Sequence, residues 1–506
     1  MMNPNLYAQL ELGFPSDHQS CCIETHDQLY YTWQDMRSGS AKIAHLLKQL
    51  GLPPGARILV QVEKSPEALM LYLACLRAGL VFVPLNTAYQ SAEIAYFMQD
   101  AQASVVVCTP DRFTQISKLA LQYEVAHVFT LANRTTPFKD SSLLQAAAAH
   151  PNEFETRHSN ANDLAAILYT SGTTGRSKGA MLSHGNLSSN AKILSEVWAW
   201  QAKDVLLHCL PIFHVHGLFV ASHLALMNGS KMIFLPKFDH DQIKEALPSS
   251  SVMMGVPTYY VRLLQDPQFN PEICQTMRLF VSGSAPLLPD TFAQFKAQTG
   301  HTILERYGMS ETNILTSNPY QGERRGGSVG FALPQLQLRI VKENENEAAI
   351  DEIGELRVKG PNVFQGYWRM PEKTKEEFDE QGFFKTGDLG KREAQGYISI
   401  VGRSKDLIIS GGYNVYPKEI EQWLDDMPEV AESAVIGIPH TDFGEAVCAV
   451  LVLKPDAQLT AEACIARLKT RIAHFKVPKR IQFAEALPRN TMGKVQKNVL
   501  RAGFTL

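Results

Sequence analysis

Tyr169-Thr170-Ser171-Gly172-Thr173-Thr174-Gly175-Arg176-Ser177-Lys178-Gly179 follows directly on the apolar run Leu164 to Leu168. A buried strand that opens into glycines, hydroxyls and a lysine is suited to hold phosphate. Glycine lets backbone N–H groups turn toward an anion, hydroxyls add donors, and lysine adds a compact positive charge. Thr170, Ser171, Gly172, Thr173, Thr174, Gly175 and Lys178 are therefore candidate nucleotide ligands. The spacing is not that of a Walker P-loop, which needs Gly, four residues, then Gly-Lys-Ser/Thr. In this chain Gly172 and Gly175 are three apart, and Gly179 stands where the hydroxyl would be. A surface turn is the alternative reading, but turns seldom combine this composition with a preceding buried strand.

Working outward, the first third alternates helical and strand patterns. Helices are predicted at Trp33 to Leu50, Glu67 to Ala78 and Ala92 to Asp100, with strands at Arg57 to Val62, Val81 to Pro84, Ser104 to Cys108 and His127 to Leu131. Such alternation implies βαβ crossovers and a largely parallel sheet. A second series of short apolar strands, Asp204 to Cys209, Lys231 to Leu235, Met253 to Gly255, Arg278 to Ser282 and Thr302 to Glu305, predicts a second α/β layer. After Gly330 the texture shifts to turn-punctuated segments, which predict a small antiparallel β unit over 331–401. Beyond Gly402 an α+β pattern begins, with helices at Val415 to Met427 and Ala461 to Arg471 and strands at Val430 to Gly437 and Val447 to Leu453. The expected fold class is α/β. A large N-terminal domain, 1–402, holds two α/β layers and the β unit, and a smaller mobile α+β C-terminal domain spans 403–506.

The 506 residues exceed what one core usually supports, consistent with two domains. A net charge of −3 without blocks of like charge excludes a polyanion-binding tail, so no nucleic-acid partner is expected. The eight cysteines form no CxxC pair and no zinc spacing, and read as reduced thiols. No signal-peptide pattern and no run of about 18 apolar residues occurs, so no integral membrane segment and a cytoplasmic location are expected. The partners at this level are small molecules, with no obligatory protein partner evident.

Four further motifs accompany the loop: Tyr307-Gly-Met-Ser-Glu-Thr312, Thr386-Gly-Asp388, Gly402-Arg-Ser-Lys-Asp406 and Pro488-Arg-Asn-Thr-Met-Gly-Lys494. Together, in this order and spacing, they resemble the signature set of the adenylate-forming superfamily of acyl-CoA synthetases, luciferases and adenylation domains. The resemblance covers essentially the whole chain. It implies ATP, Mg2+ and CoA as cofactor and co-substrates, and a carboxylate that attacks the α-phosphate before a thiol displaces AMP. It also implies residue roles: Lys494 as the catalytic lysine, Glu311 as the magnesium ligand and Ser310 as an α-phosphate contact. Tyr307 corresponds to the ring stacked on adenine, and Asp388 and Arg403 to ribose or phosphate contacts. Ser282, Gly283 and Ser284 form a loop against adenine and acyl group. Lys405 is the hinge, and Gly411 and Gly412 line a pantetheine tunnel, although a structural turn explains those two glycines equally well.

The acid is read from elsewhere. Met277 to Leu287, Glu305 to Asn313, Thr316 to Arg325 and Pro211 to Leu218 look most like malonyl-CoA synthetases, with methylmalonate as a further acid and another short-chain, medium-chain or aryl acid as the alternative. A second carboxylate is costly to bury without a cation. Arg278 is the expected partner, because its planar fork grips carboxylates bidentately. A structural strand-edge role is the competing view. Arg306, Arg324, Arg325, His214 and His216 are the alternatives, with His214 and Met309 expected to border the acyl group.

Overall fold

The structure is a computed structural model that describes residues 3–132, 140–170, 177–410, 413–440, 444–472, 474–490 and 493–504. Its architecture is mixed α/β, as expected. One sheet has six strands in the order His127–Thr130, Ala103–Cys108, Arg57–Gln61, Val81–Pro84, Leu164–Thr170, Lys178–Ser183, all parallel except the last. A second sheet has nine strands. Its parallel core runs Cys21–Thr25, Lys231–Phe234, Val205–His208, Val252–Gly255, Leu279–Ser282, Ile303–Met309. Antiparallel strands Asn313–Ser317 and Phe331–Ala332 extend it at one edge and Tyr30–Thr32 at the other.

Between the sheets lies helix Pro66–Ala78, buried over nearly its whole length. Leu69, Met70, Leu71, Tyr72, Leu73, Ala74, Cys75 and Leu76 leave it no polar face, which is the pattern of a helix enclosed on every side. Its ends follow from sequence. Ser65 accepts the Ala68 N–H as N-cap, Pro66 occupies the first turn, and Gly79 at φ 69° ends it in the left-handed region.

A four-stranded antiparallel sheet follows, Gln337–Val341, Gly354–Lys359, Phe384–Arg392 and Ile398–Arg403. The last sheet, from Ile408 onward, has a separate core around Ile420, Leu424, Val435, Val447, Leu451 and Leu468. Arg403 is thus the final residue of one sheet, and Ile408 the first strand residue of the next.

Two connections bear on the topology. The hairpin Cys21–Thr32 joins the second sheet beside Lys231–Phe234, although the first sheet follows it in sequence. The loop after Leu164–Thr170 leads into the antiparallel strand Lys178–Ser183, so it closes a hairpin. A Walker loop would lead into a helix, which gives the spacing difference a structural counterpart.

Candidate active site

In open parallel sheets, ligands bind in the crevice beyond the carboxyl ends of the strands. His208, Gly255, Ser282 and Met309 all lie at such ends in the nine-stranded sheet. The chain then doubles back, and Tyr307, Asp388 and Arg403 meet there. The Tyr307 hydroxyl donates to Asp388 Oδ2 at 2.6 Å, and Arg403 Nε donates to Asp388 Oδ1 at 2.8 Å. Burial, followed by the Asp388 carboxylate, pushes the Tyr307 hydroxyl well above its ordinary pKa. Lys494 belongs to the same cluster. Its side chain keeps exposed surface, yet desolvation of the ammonium, and then the neighbouring Arg403 and Lys405 charges, lower its pKa to about 8, while Asp388 and Asp406 oppose the shift.

Glu311 is buried next to this cluster and accepts the Tyr367 hydroxyl at 3.0 Å through Oε1. Burial raises its pKa, which favours a cation beside the carboxylate form. Among the described residues no group of three or more His, Cys, Asp or Glu is placed to hold a metal. A single buried carboxylate still fits magnesium, which takes most of its ligands from phosphates and water. Lys178 lies 4.4 Å from the Tyr367 ring centroid and helps to lower the Glu311 pKa. Thr170 Oγ1 donates to the Lys178 carbonyl at 3.4 Å, and Ser310 is half-buried in the turn before Glu311. Ser171, Gly172, Thr173, Thr174 and Gly175 lie outside the described residues, as do Gly411 and Gly412.

The structure corrects the placement of Arg278. Its guanidinium grips Asp204 through Nε at 2.7 Å and Nη2 at 2.5 Å, and donates to the Trp198 carbonyl at 3.1 Å. Arg278 precedes strand Leu279–Ser282, so it stands at the amino edge of the sheet. Four residues at roughly 3.3 Å each put it about 13 Å from Ser282, at the wrong end for an acyl pocket. Asp204 would be raised by burial alone, but hydrogen bonds from Arg278 and Gln201 hold it below its ordinary value. Arg324 and Arg325 are committed as well. Arg324 donates to the carbonyls of Thr302, Pro319 and Tyr320, and Arg325 pairs with Glu393 and Glu323.

Arg306 is different. It is 5% exposed, and its Nε and Nη2 have no partner among the described residues. Burial lowers its pKa to about 9, and Tyr260 is the group that opposes the shift. A Cβ on Gly283 would come within 2.4 Å of the Arg306 Cζ, so a side chain there would push the guanidinium from its present place under the loop. His214 and His216 lie close enough for the Arg306 charge to bear on both. Burial and that charge lower the His214 pKa to about 4 and hold His216 well below the ordinary value. The His216 Nε2 is unpartnered, its Nδ1 meets Ser284 Oγ at 3.4 Å, and the Ser282 hydroxyl is buried without a partner among the described residues. His216 also opens a π-helical stretch, His216–Ser222, an irregularity frequent at functional sites. Met309 ends the strand that carries Arg306.

Sequence reasoning also passed over Glu305. It is 4% exposed, its Oε1 accepts the Leu287 N–H at 3.1 Å, and its Oε2 has no partner among the described residues. Burial raises its pKa to about 7. The signal was the consecutive Glu305-Arg306 inside an otherwise apolar buried strand, where ionisable residues are rarely placed without purpose.

Comparison with known proteins adds the following. The family model for AMP-binding enzyme matches residues 14–368, and that for the AMP-binding enzyme C-terminal domain matches 419–494. A malonate–CoA ligase of Arabidopsis thaliana is 37% identical over 479 residues, covering 88% of this chain and 78% of the relative. A long-chain-fatty-acid–CoA ligase of Bacillus subtilis is 32% identical over 501 residues, covering 93% and 89%. ATP-bound MatB from Rhodopseudomonas palustris is 52% identical, with a TM-score of 0.96 and 99% of each chain covered. Its apo form, with the same identity and coverage, has a TM-score of 0.85. Among the described residues, no helix is long and apolar enough to cross a membrane.

The Arg278–Asp204 pair yields a prediction. Arg278→Leu leaves a buried carboxylate unpaired and should cost about 3 kcal/mol of stability, measured by denaturant unfolding. Because the Asp204 pKa is depressed in the folded chain, the pair's contribution is full above the ordinary carboxylate value of 3.8 and is lost as the pH falls below it. Folded variant should lose turnover of mono- and dicarboxylates to the same degree.

Proposed function

The chain belongs to the AMP-binding enzyme family, and on that premise we propose that it is an ATP-dependent ligase that joins malonate to CoA, with methylmalonate as a further acid. The observation that carries this reading is Arg306, a buried cation with two unpartnered N–H groups under the Gly283 backbone. An apolar acid would leave that charge without a partner. The distal carboxylate of malonate would supply one, accepting charge-assisted hydrogen bonds from the guanidinium and a further one from His216 Nε2–H. In this reading His214 and Met309 border the acyl group, and the Ser282-Gly283-Ser284 backbone separates it from the base.

The first reaction brings two anions together, so the site must neutralise charge where they meet. One carboxylate oxygen of malonate bonds to the α-phosphorus of ATP as pyrophosphate leaves with its electron pair. Lys494 is proposed to lie between carboxylate and α-phosphate, with the Ser310 hydroxyl on the α-phosphate and Lys178 and the Thr170–Gly175 loop on the departing phosphates. Tyr307 offers a flat face to adenine. Glu305, two positions before it on the same strand face, offers Oε2 to the exocyclic amine. Asp388 keeps unused acceptor capacity after binding Tyr307 and Arg403, enough for the ribose hydroxyls. Magnesium held at Glu311 would supply charge neutralisation for the phosphates. CoA then attacks the acyl carbonyl through its thiolate, and AMP departs.

That second step needs Lys494 out of the way. We divide the chain into an N-terminal domain, 1–402, and a mobile C-terminal domain, 403–506, that turns about Lys405 and brings Gly411 and Gly412 to the pantetheine. Small molecules suffice as partners, in a compartment that supplies ATP and CoA, the cytoplasm in our reading.

A panel of acids with pyrophosphate release as readout tests the reaction. Malonate should be preferred; release with octanoate or 4-coumarate and none with malonate would sink the substrate while sparing the class. Arg306→Leu should lower kcat/KM for malonate about 100-fold or more while butyrate activity holds or rises. Equal losses on both acids would make Arg306 structural. For Lys494 the alkaline limb of kcat/KM for pyrophosphate release should show an apparent pKa of about 8, since adenylation uses the charged amine. Lys494→Ala should lose adenylation and that limb, yet convert supplied malonyl-AMP to malonyl-CoA.

A further inference from the structure

Lys178, the described cation of the phosphate loop, has an anionic partner. Its Nζ lies 3.5 Å from Glu377 Oε1, with the two side chains 17% and 23% exposed. Glu377 is the last residue of the short helix Pro371–Glu377, none of whose residues is buried. That helix borders a cleft of ≈ 670 Å³ lined in part by Met181, Tyr367, Thr374 and Phe378. Glu377 has a second cation within reach on its own helix, Lys373 Nζ at 3.1 Å. Lys178 also lies over the Tyr367 ring, whose hydroxyl holds Glu311. Lys178 is thus poised between Glu377 and the Glu311 side of the site.

We propose that Glu377 is a stand-in for the triphosphate, a positioning residue that holds Lys178 until ATP takes its place and thereby sets ATP affinity. The exchange is nearly balanced on the protein side. When Lys178 turns to phosphate, Glu377 keeps Lys373 and is not stranded as an unpaired, partly buried acid, which would be costly. In the absence of nucleotide Lys178 is likewise spared an unpaired state. The cost is competition, since part of the ATP binding energy goes into displacing a carboxylate.

This inference rests on ATP being the ligand of the loop, and direct binding of Mg-ATP to the full chain, measured by calorimetry without malonate, separates the two claims. No binding by the wild type would overturn the functional reading itself. With the wild type binding, Glu377→Gln should bind Mg-ATP about two- to fivefold more tightly, the range expected for removal of a partly exposed ion pair. Lys373→Met, which removes the fallback cation, should bind more weakly. In a Lys178→Ala background, Glu377→Gln should have no effect. Unchanged or weaker binding by Glu377→Gln overturns the stand-in, and so does an equal gain without Lys178, which would mean plain repulsion between carboxylate and phosphates.

Discussion

Asp388 is the carboxylate on which separate parts of the chain converge. It lies in the four-stranded sheet, takes a hydroxyl from Tyr307 of the nine-stranded sheet, and takes a guanidinium from Arg403 at the end of its own sheet. Lys494, more than a hundred residues later, feels its charge. No one of these elements could build the site by itself. The nine-stranded sheet supplies a crevice, the Tyr307 ring and the buried Glu305-Arg306 pair of residues. Asp388, Arg403 and Lys494 arrive from elsewhere, and an acid that binds several donors at once is what brings them to one edge.

The same economy explains why positive charge is distributed as it is. Arg278, Arg324 and Arg325 are satisfied by Asp204, by carbonyls and by surface acids, and they hold loops in place. Among the described residues, Arg306 alone of the arginines weighed for the acid is buried without a carboxylate partner. Burying a cation in this way costs stability, and the fold tolerates it beside a loop whose glycine leaves room for it. Such local conflict with the rules for cores is where function is expected to reside.

Much of this was legible in the sequence. Strand Val81–Pro84 and strand Gly354–Lys359 fall where alternation and turn residues put them, and helix Pro66–Ala78 carries its caps in plain view. What failed was direction and long-range pairing. Arg278 and Ser282 are four residues apart, which looks like proximity. A strand, however, delivers its two ends to opposite edges of the sheet, and only one edge receives ligands. Cys21–Thr25 pairs with Lys231–Phe234 across two hundred residues, and no local pattern announces such a partner. Arg306 was visible as a charge in an apolar strand, but its significance depended on learning that no carboxylate among the described residues pairs with it.

The arrangement of the last hundred residues bears on how Lys494 could leave the site. Its loop is held by contacts within its own part of the chain. The Lys494 N–H donates to Asn490 Oδ1 at 2.9 Å, Arg489 donates to the Gly493 carbonyl at 2.6 Å and pairs with Glu432, and Lys497 pairs with Glu421 at 2.6 Å. The proposed hinge is bracketed by two ion pairs that face opposite ways. Arg403 is tied back to Asp388, and Asp406 is tied forward to Arg501 at 2.8 Å. Between them Ser404 and Lys405 carry exposed side chains and sit in a single turn of 3-10 helix. A rotation confined to that turn would break neither pair. Lys494 would then travel as part of a rigid body, and the Asp388 site would stay assembled around the adenylate for the thiol to reach.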